Sequence, residues 1–230
     1  MKNLLFLLSI SFPILSYSQV GINTPTPKKM LHVNGSLQVT NELSVGGNAS
    51  TAGSAGTSGQ ILASTGPGTA PVWNSSNELK GTIAAAYYVQ GNDDLTINQG
   101  DTGDVPGLTL TITVPAGKTQ TLLFTIIGYA IRSTVTDGEA TQGVFSLVQN
   151  NVKISSAFTA SGDFGDLDAV PAPVTFLKSV TLAAGTYTFK VRYTPWKDQQ
   201  IVNFDPTGYS GYNGDTEAML SKMQVLVYNN

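Results

Sequence analysis

The chain has no cysteine in its 230 residues. That absence excludes disulfides, thiolate metal sites and lipid attachment at a processed N-terminal cysteine. Histidine is almost as scarce. His32 is the only one, so no second imidazole can join it in a metal site, and a Ser-His-Asp centre is not expected. Charge is sparse too: charged residues make up 12% and the net charge is −3, so nothing resembles the basic footprint of a nucleic-acid binder. Beyond the first residues no apolar run is long enough to cross a bilayer, so no membrane span is expected. Paired carboxylates remain the one route to an enzyme, as in glycosidases. Nothing selects a pair among Glu139, Glu217 and the aspartates, so no enzyme and no cofactor are expected.

What is present is a leader and then a β-rich chain. Lys2 supplies a positive start, Leu4 to Leu15 an apolar run, and Ser16-Tyr17-Ser18 small residues at −3 and −1. This pattern predicts a signal peptide over residues 1–18, cleaved before Gln19, and an exported protein, secreted or held at the cell surface. An exported chain without disulfides must draw stability from elsewhere, and oligomerisation is one source.

Past the leader runs a six-residue repeat. Leu31-His32-Val33, Leu37-Gln38-Val39 and Leu43-Ser44-Val45 share Leu-x-Val, separated by turn-prone connectors such as Asn34-Gly35-Ser36. Residues two apart share a side of an extended chain. Leu31, Val33, Leu37, Val39, Leu43 and Val45 therefore form one apolar edge. Three copies cannot bury that edge alone, because repeat arrays need stacked neighbours. The simplest neighbour is another copy of the chain, and His32 is read as a surface residue of the resulting stalk. Residues 46–59 are Gly, Ala, Ser and Thr. They suit either a flexible linker or close approach of several backbones.

Val20-Gly21-Ile22-Asn23-Thr24-Pro25-Thr26-Pro27 followed by Leu31-His32-Val33-Asn34-Gly35 resembles the start of tail-fibre-like shafts. Gly59-Gln60-Ile61-Leu62 with Pro71-Val72-Trp73 resembles a second element of the same proteins. The resemblance covers residues from about 20 to 75. It implies a homotrimeric β-shaft of an exported bacterial protein, carrying a C-terminal head.

From Leu79 the pattern changes. Leu108, Leu110, Ile112 and Val114 alternate with threonines, and Tyr187, Phe189, Val191 and Tyr193 alternate with polar residues. Asn150-Asn151 separates two apolar runs and predicts a two-residue hairpin. Pro115-Ala116-Gly117 predicts a turn. Leu122-Leu123-Phe124 and Ile126-Ile127 predict a strand covered on both faces. No window has a helical period. The expected fold is all-β: a stalk with its linker over residues 19–78 and a jelly-roll-like β-sandwich over 79–230. With Leu-x-x-Gly-x-Tyr-x-Phe-x-Val from Leu182 to Val191 and Met-x-Val-x-Val from Met223 to Val227, the head resembles the trimeric jelly rolls of the tumour-necrosis-factor and complement class, in which one sheet faces the threefold axis.

Two clusters could carry chemistry. Asp163, Asp166 and Asp168 offer hard oxygens that suit Ca²⁺, but their spacing is not that of an EF-hand, and no metal is expected. The segment from Trp196 to Asp215 sets aromatics among short polar residues, a mixture suited to a sugar or a protein surface. It is read as a loop, with Trp196, Tyr209, Tyr212, Asn213 and Asp215 as candidate ligand contacts. The reading that follows is a structural or adhesive exported protein whose trimeric stalk displays a binding head. A carbohydrate-binding module is the alternative, and a glycan-acting hydrolase ranks third.

Overall fold

A computed structural model describes residues 19–133, 140–164, 167–171, 173–204 and 213–230. Among these, no helix is long and apolar enough to cross a membrane. The strands are β1 (Val20–Ile22), β2 (Leu31–Val33), β3 (Gln60–Ala63), β4 (Val72–Ser75), β5 (Ile83–Gln90), β6 (Leu95–Ile97) and β7 (Gly103–Gly128). There follow β8 (Ala130–Arg132), β9 (Thr141–Gln149), β10 (Val152–Phe164), β11 (Leu167–Pro171), β12 (Val174–Lys197), β13 (Gln200–Val202) and β14 (Lys222–Asn229). Short 3₁₀ turns lie at Ser76–Glu78 and Thr216–Met219.

The chain divides into two compact units. One runs to Thr57 and adds Ala63–Trp73; the other comprises Ser58–Leu62 and Asn74–Asn230. In the first unit β1 and β2 pair in parallel, Val20 opposite Leu31 and Ile22 opposite Val33. The second and third Leu-x-Val copies form no strand: past β2 the backbone is irregular, with isolated bridges from Val45 to Ser54 and Asn48 to Thr51. Leu31, Leu37, Val39 and Leu43 are exposed in the single chain, and Val33 and Val45 are half-buried. Trp73 is fixed locally: its indole N–H donates to the Ser54 carbonyl at 2.9 Å. The ring lies on Gly56, where an added Cβ would sit 2.7 Å from it.

The second unit is an all-β sandwich. Its large sheet has the order β11-β10-β9-β12-β7-β14-β5, and a small sheet has the order β6-β13-β8. The sandwich is made by one long bent ribbon. Strands β7 and β12 pair antiparallel from Val174 opposite Gly128 to Tyr193 opposite Gly103. The register shifts between Lys190 and Arg192, and again where Ala183 faces Thr119 and Gly185 faces Val114. Four residues of β7, Pro115 to Lys118, oppose Ala184 alone. Such an insertion kinks both strands together. The expected turn at Pro115-Ala116-Gly117 is therefore a corner inside a continuous strand rather than a break between two.

The bend is demonstrated by Phe124 and Phe189. Phe124 pairs with Lys178, eleven residues along β12 from Phe189. In a flat sheet that separation is about 36 Å. The ring centroids lie 4.7 Å apart. One half of the ribbon, extended by β14 and β5, thus faces the other half, extended by β9, β10 and β11. Between them lies the core: Leu108, Ile112, Leu122, Phe145, Val191 and Val225, with Ile97, Ala130 and Val202 from the small sheet. Asn150 and Asn151 close the β9–β10 hairpin with φ of 48° and 69°, the left-handed pair of a tight hairpin turn.

Within one chain the β7 strand is covered on one face only. Leu122, Phe124 and Ile126 are buried, but Leu123 is half-buried and Ile127 is exposed. The outer face continues through Leu177 and Tyr88, both exposed. The expectation of cover on both faces is corrected for the single chain: among the described residues, no second layer covers Ile127, Leu177 and Tyr88.

Candidate functional site

The opposite outer face, that of β10, β9 and β12, is not flat. Strand alternation sends Phe145 and Leu147 of β9 into the core and turns Val144, Ser146 and Val148 outward. These three form the floor of an open groove of about 490 Å³. Ser146 and Val148 are nevertheless buried, sunk between longer side chains on the flanking strands. On the β10 side stand Lys153, Ser156 and Phe158; on the β12 side stand Arg192, Thr194 and Trp196.

The groove is graded along its length. From Val144 to Val148 the strand rise gives about 13 Å. At one end Trp196 and Phe158 meet with centroids 5.8 Å apart and planes tilted by 42°. Each residue is 52% exposed. The middle carries hydroxyls, with Thr194 bonded to Thr102 at 2.7 Å. The far end is cationic and rigidly held. Arg192 donates from Nε to Asp104 at 2.6 Å and from Nη2 to Asn151 at 2.9 Å. Lys190 reaches the other Asp104 oxygen at 2.6 Å. Burial works against the Asp104 charge, but the hydrogen bonds from Lys190 and Arg192, together with their positive charges, hold its carboxyl below the usual carboxylate range.

Beneath the groove the inner face is locked. Tyr193 packs on Phe145 at 4.5 Å and donates to Gln200, whose amide donates in turn to the Gln142 and Lys197 carbonyls at 2.8 and 2.9 Å. Burial pushes the Tyr193 hydroxyl well above its ordinary pKa, so it stays a donor. Gly143 is required here, because a Cβ would fall 2.1 Å from the Tyr193 oxygen.

The expected recognition loop is partly something else. Trp196 lies within β12, and Gln200–Val202 forms β13, paired with both β6 and β8. The alternation of buried Gln200 and Val202 makes it a strand. Asn203 is a buried brace: its amide donates to the Asp93 and Pro106 carbonyls, and its oxygen accepts from the Ser221 N–H at 2.9 Å. Asn213 and Asp215 serve local backbone. Asn213 accepts from the Asp215 N–H, and Asp215 caps the Thr216–Met219 turn through the Ala218 N–H. Tyr209 and Tyr212 lie outside the described residues. So do Asp166 and the side chains of Asp163 and Asp168, whose backbones belong to β10 and β11. Among the described residues no three His, Asp or Glu side chains gather as a metal site.

Of the expected contacts among the described residues, then, only Trp196 stands in the groove. Phe158, Arg192 and Lys153 were missed. The alternation around Arg192 was visible, but the sequence alone does not say which strands lie side by side.

No protein-family model matches the chain, and no curated protein does. Among solved structures, Eiger TNF from S. frugiperda is similar over 61% of this chain and 90% of that one, with 12% identity and a TM-score of 0.31. Dimeric latent PorU from Porphyromonas gingivalis is similar over 66% of this chain and 14% of that one, with 13% identity and a TM-score of 0.30. The carbohydrate binding module CBM6cm-2 from Cellvibrio mixtus lichenase 5A, solved with cellotriose, is similar over 66% of this chain and 92% of that one, with 10% identity and a TM-score of 0.23. Likeness at this level carries no argument, and the sandwich is established by the chain's own strands.

Proposed function

We propose that this is an exported display protein of structural or adhesive role. In this reading residues 1–18 direct export, residues 19–78 assemble as a trimeric stalk, and residues 79–230 form a head that binds a surface ligand without catalysis. The observation that carries it is the opposite fate of apolar side chains in the two regions. The head closes a core from its own strands, while Leu31, Leu37, Val39 and Leu43 stay exposed in a single chain. An array with an uncovered apolar edge is completed by neighbours. The outer face with Leu123, Ile127 and Leu177 offers the head a second apolar surface for the same association.

The recognition surface in this reading is the groove over β9. Three copies would present three grooves, giving avidity without high single-site affinity. The absence of cysteine and the single histidine support binding rather than catalysis. The test is the solution mass of the mature chain beside that of a Leu37→Asp variant. Assembly lost in the variant, with the head still folded, supports the reading; a monomeric parent overturns it.

A further inference from the structure

The aromatic pair, the hydroxyls and the cations occupy one continuous groove in a fixed order. We propose that this groove binds an acidic oligosaccharide, a chain of sugar rings bearing carboxylates. This rests on the reading of the head as the recognition element and adds the chemical class of its ligand.

The argument starts from the rings. Trp196 and Phe158 each leave about half their surface in water, although a covered core lies one layer below. A sugar ring has a face of C–H bonds and a rim of hydroxyls. Such a face loses water favourably against an aromatic ring, while the rim needs short hydrogen-bonding partners. Those partners follow next along the groove, at Thr194 and Ser156.

Charge selects within the sugars. The far end brings Arg192 and Lys153 to the groove lining, with Lys190 and Arg192 both engaging the Asp104 carboxylate, in a chain whose net charge is −3. Asp104 and Asn151 engage Nε and Nη2 of Arg192, which leaves Nη1 for a ligand. The guanidinium is thereby oriented in advance, and little freedom is lost when a carboxylate arrives. Lys153 is exposed beside it.

The same geometry disfavours an extended peptide. A peptide adds to a sheet through unpaired backbone at an edge. Strand β9 is paired on both sides, with β10 and with β12, so its backbone has nothing to offer. Recognition here runs through side chains alone.

The experiment uses the mature full-length protein on an array of uronate- and sialate-bearing oligosaccharides beside neutral ones of equal length. The best binder is then followed by calorimetry. Binding is expected in the acidic set, weakening as salt rises. Trp196→Ala should weaken it by about tenfold or more, the loss expected of a central aromatic anchor. Lys153→Ala should weaken it about two- to fivefold, as for an exposed charge pair, and leave neutral sugars unaffected. Both positions are exposed, so both variants should melt like the parent. No binding to any acidic sugar, or equal binding to neutral ones, overturns the proposal. A fall in assembled mass on Trp196→Ala also overturns it, because the rings would then be a contact between copies. The mass of the parent sample separates the two claims. A trimer that binds no sugar sinks the groove alone, and a monomer that binds acidic sugars sinks only the display architecture.

Discussion

Leu37 and Phe124 are both large apolar residues in repeating apolar patterns, and they meet opposite fates. Leu37 is 69% exposed, and Phe124 is 0% exposed. The difference lies in what surrounds each residue. Phe124 sits on a ribbon long enough to bend back on itself, so one chain supplies both walls of its core. Leu37 sits in a short repeat whose connectors come every few residues, too soon for any layer to form above it. The sandwich is closed by intramolecular geometry; the repeat is left open within one chain. Apolar patterning alone therefore says that something will be covered, not by what.

The sharpest way to break this comparison is to place a charge on the open edge. Leu37→Asp puts an unpaired carboxylate in every chain of the proposed shared core, at a cost of several kcal/mol per chain. Light scattering should show the assembly lost, while circular dichroism keeps the strand signal of the head. If the variant assembles like the parent, Leu37 is not in a shared core. The reciprocal change is Phe124→Ala, which should cost the head about 3–5 kcal/mol in urea unfolding through the cavity opposite Phe189. A loss below about 1 kcal/mol would mean that the two halves of the ribbon do not pack as described.

A smaller effect probes the boundary between recognition and support. Asn203→Ala removes a buried side chain that satisfies two carbonyls and one N–H, and it sits at φ 57°, a region that disfavours alanine. A destabilisation of about 2–3 kcal/mol is expected. Ligand binding by the folded fraction should be unchanged, because Asn203 braces the fold and does not line the groove. Altered affinity without lost stability would return this residue to the recognition surface.

The smallest effect is one of pH. The Asp104 carboxyl has a folded pKa held below its unfolded value of about 3.9. The sign follows directly: its contribution is present above about pH 4 and is lost as pH falls through the folded pKa. Because the group is 40% exposed, the contribution should stay below about 1 kcal/mol. Asp104→Asn should lower the melting temperature slightly at neutral pH, and the difference from the parent should shrink in acid. A difference that grows in acid would contradict the clamp.

Much of the head was legible in advance. Leu108, Leu110, Ile112 and Val114 alternate as a strand must, and Asn150-Asn151 makes the hairpin its side chains favour. The corner was not legible. Pro115 to Lys118 reads as a turn that ends a strand, and the same residue types serve equally for an insertion within one. Only the register against β12, with Ala184 alone across from them, distinguishes the two. The site was legible at one residue. Trp196 stood out as an aromatic among polar neighbours, but Phe158 lies 38 positions earlier in sequence, and only the order β10-β9-β12 brings the rings together. Asn203 falls within the segment read as a loop; its burial follows from three partners scattered from Asp93 to Ser221.

The central claim is that a self-sufficient head is carried on a stalk that only other copies complete. Its most direct test is the absolute mass of the mature protein at micromolar concentration by light scattering. The account predicts three times the mass of one chain. A mass of one chain, with the head folded, would contradict it.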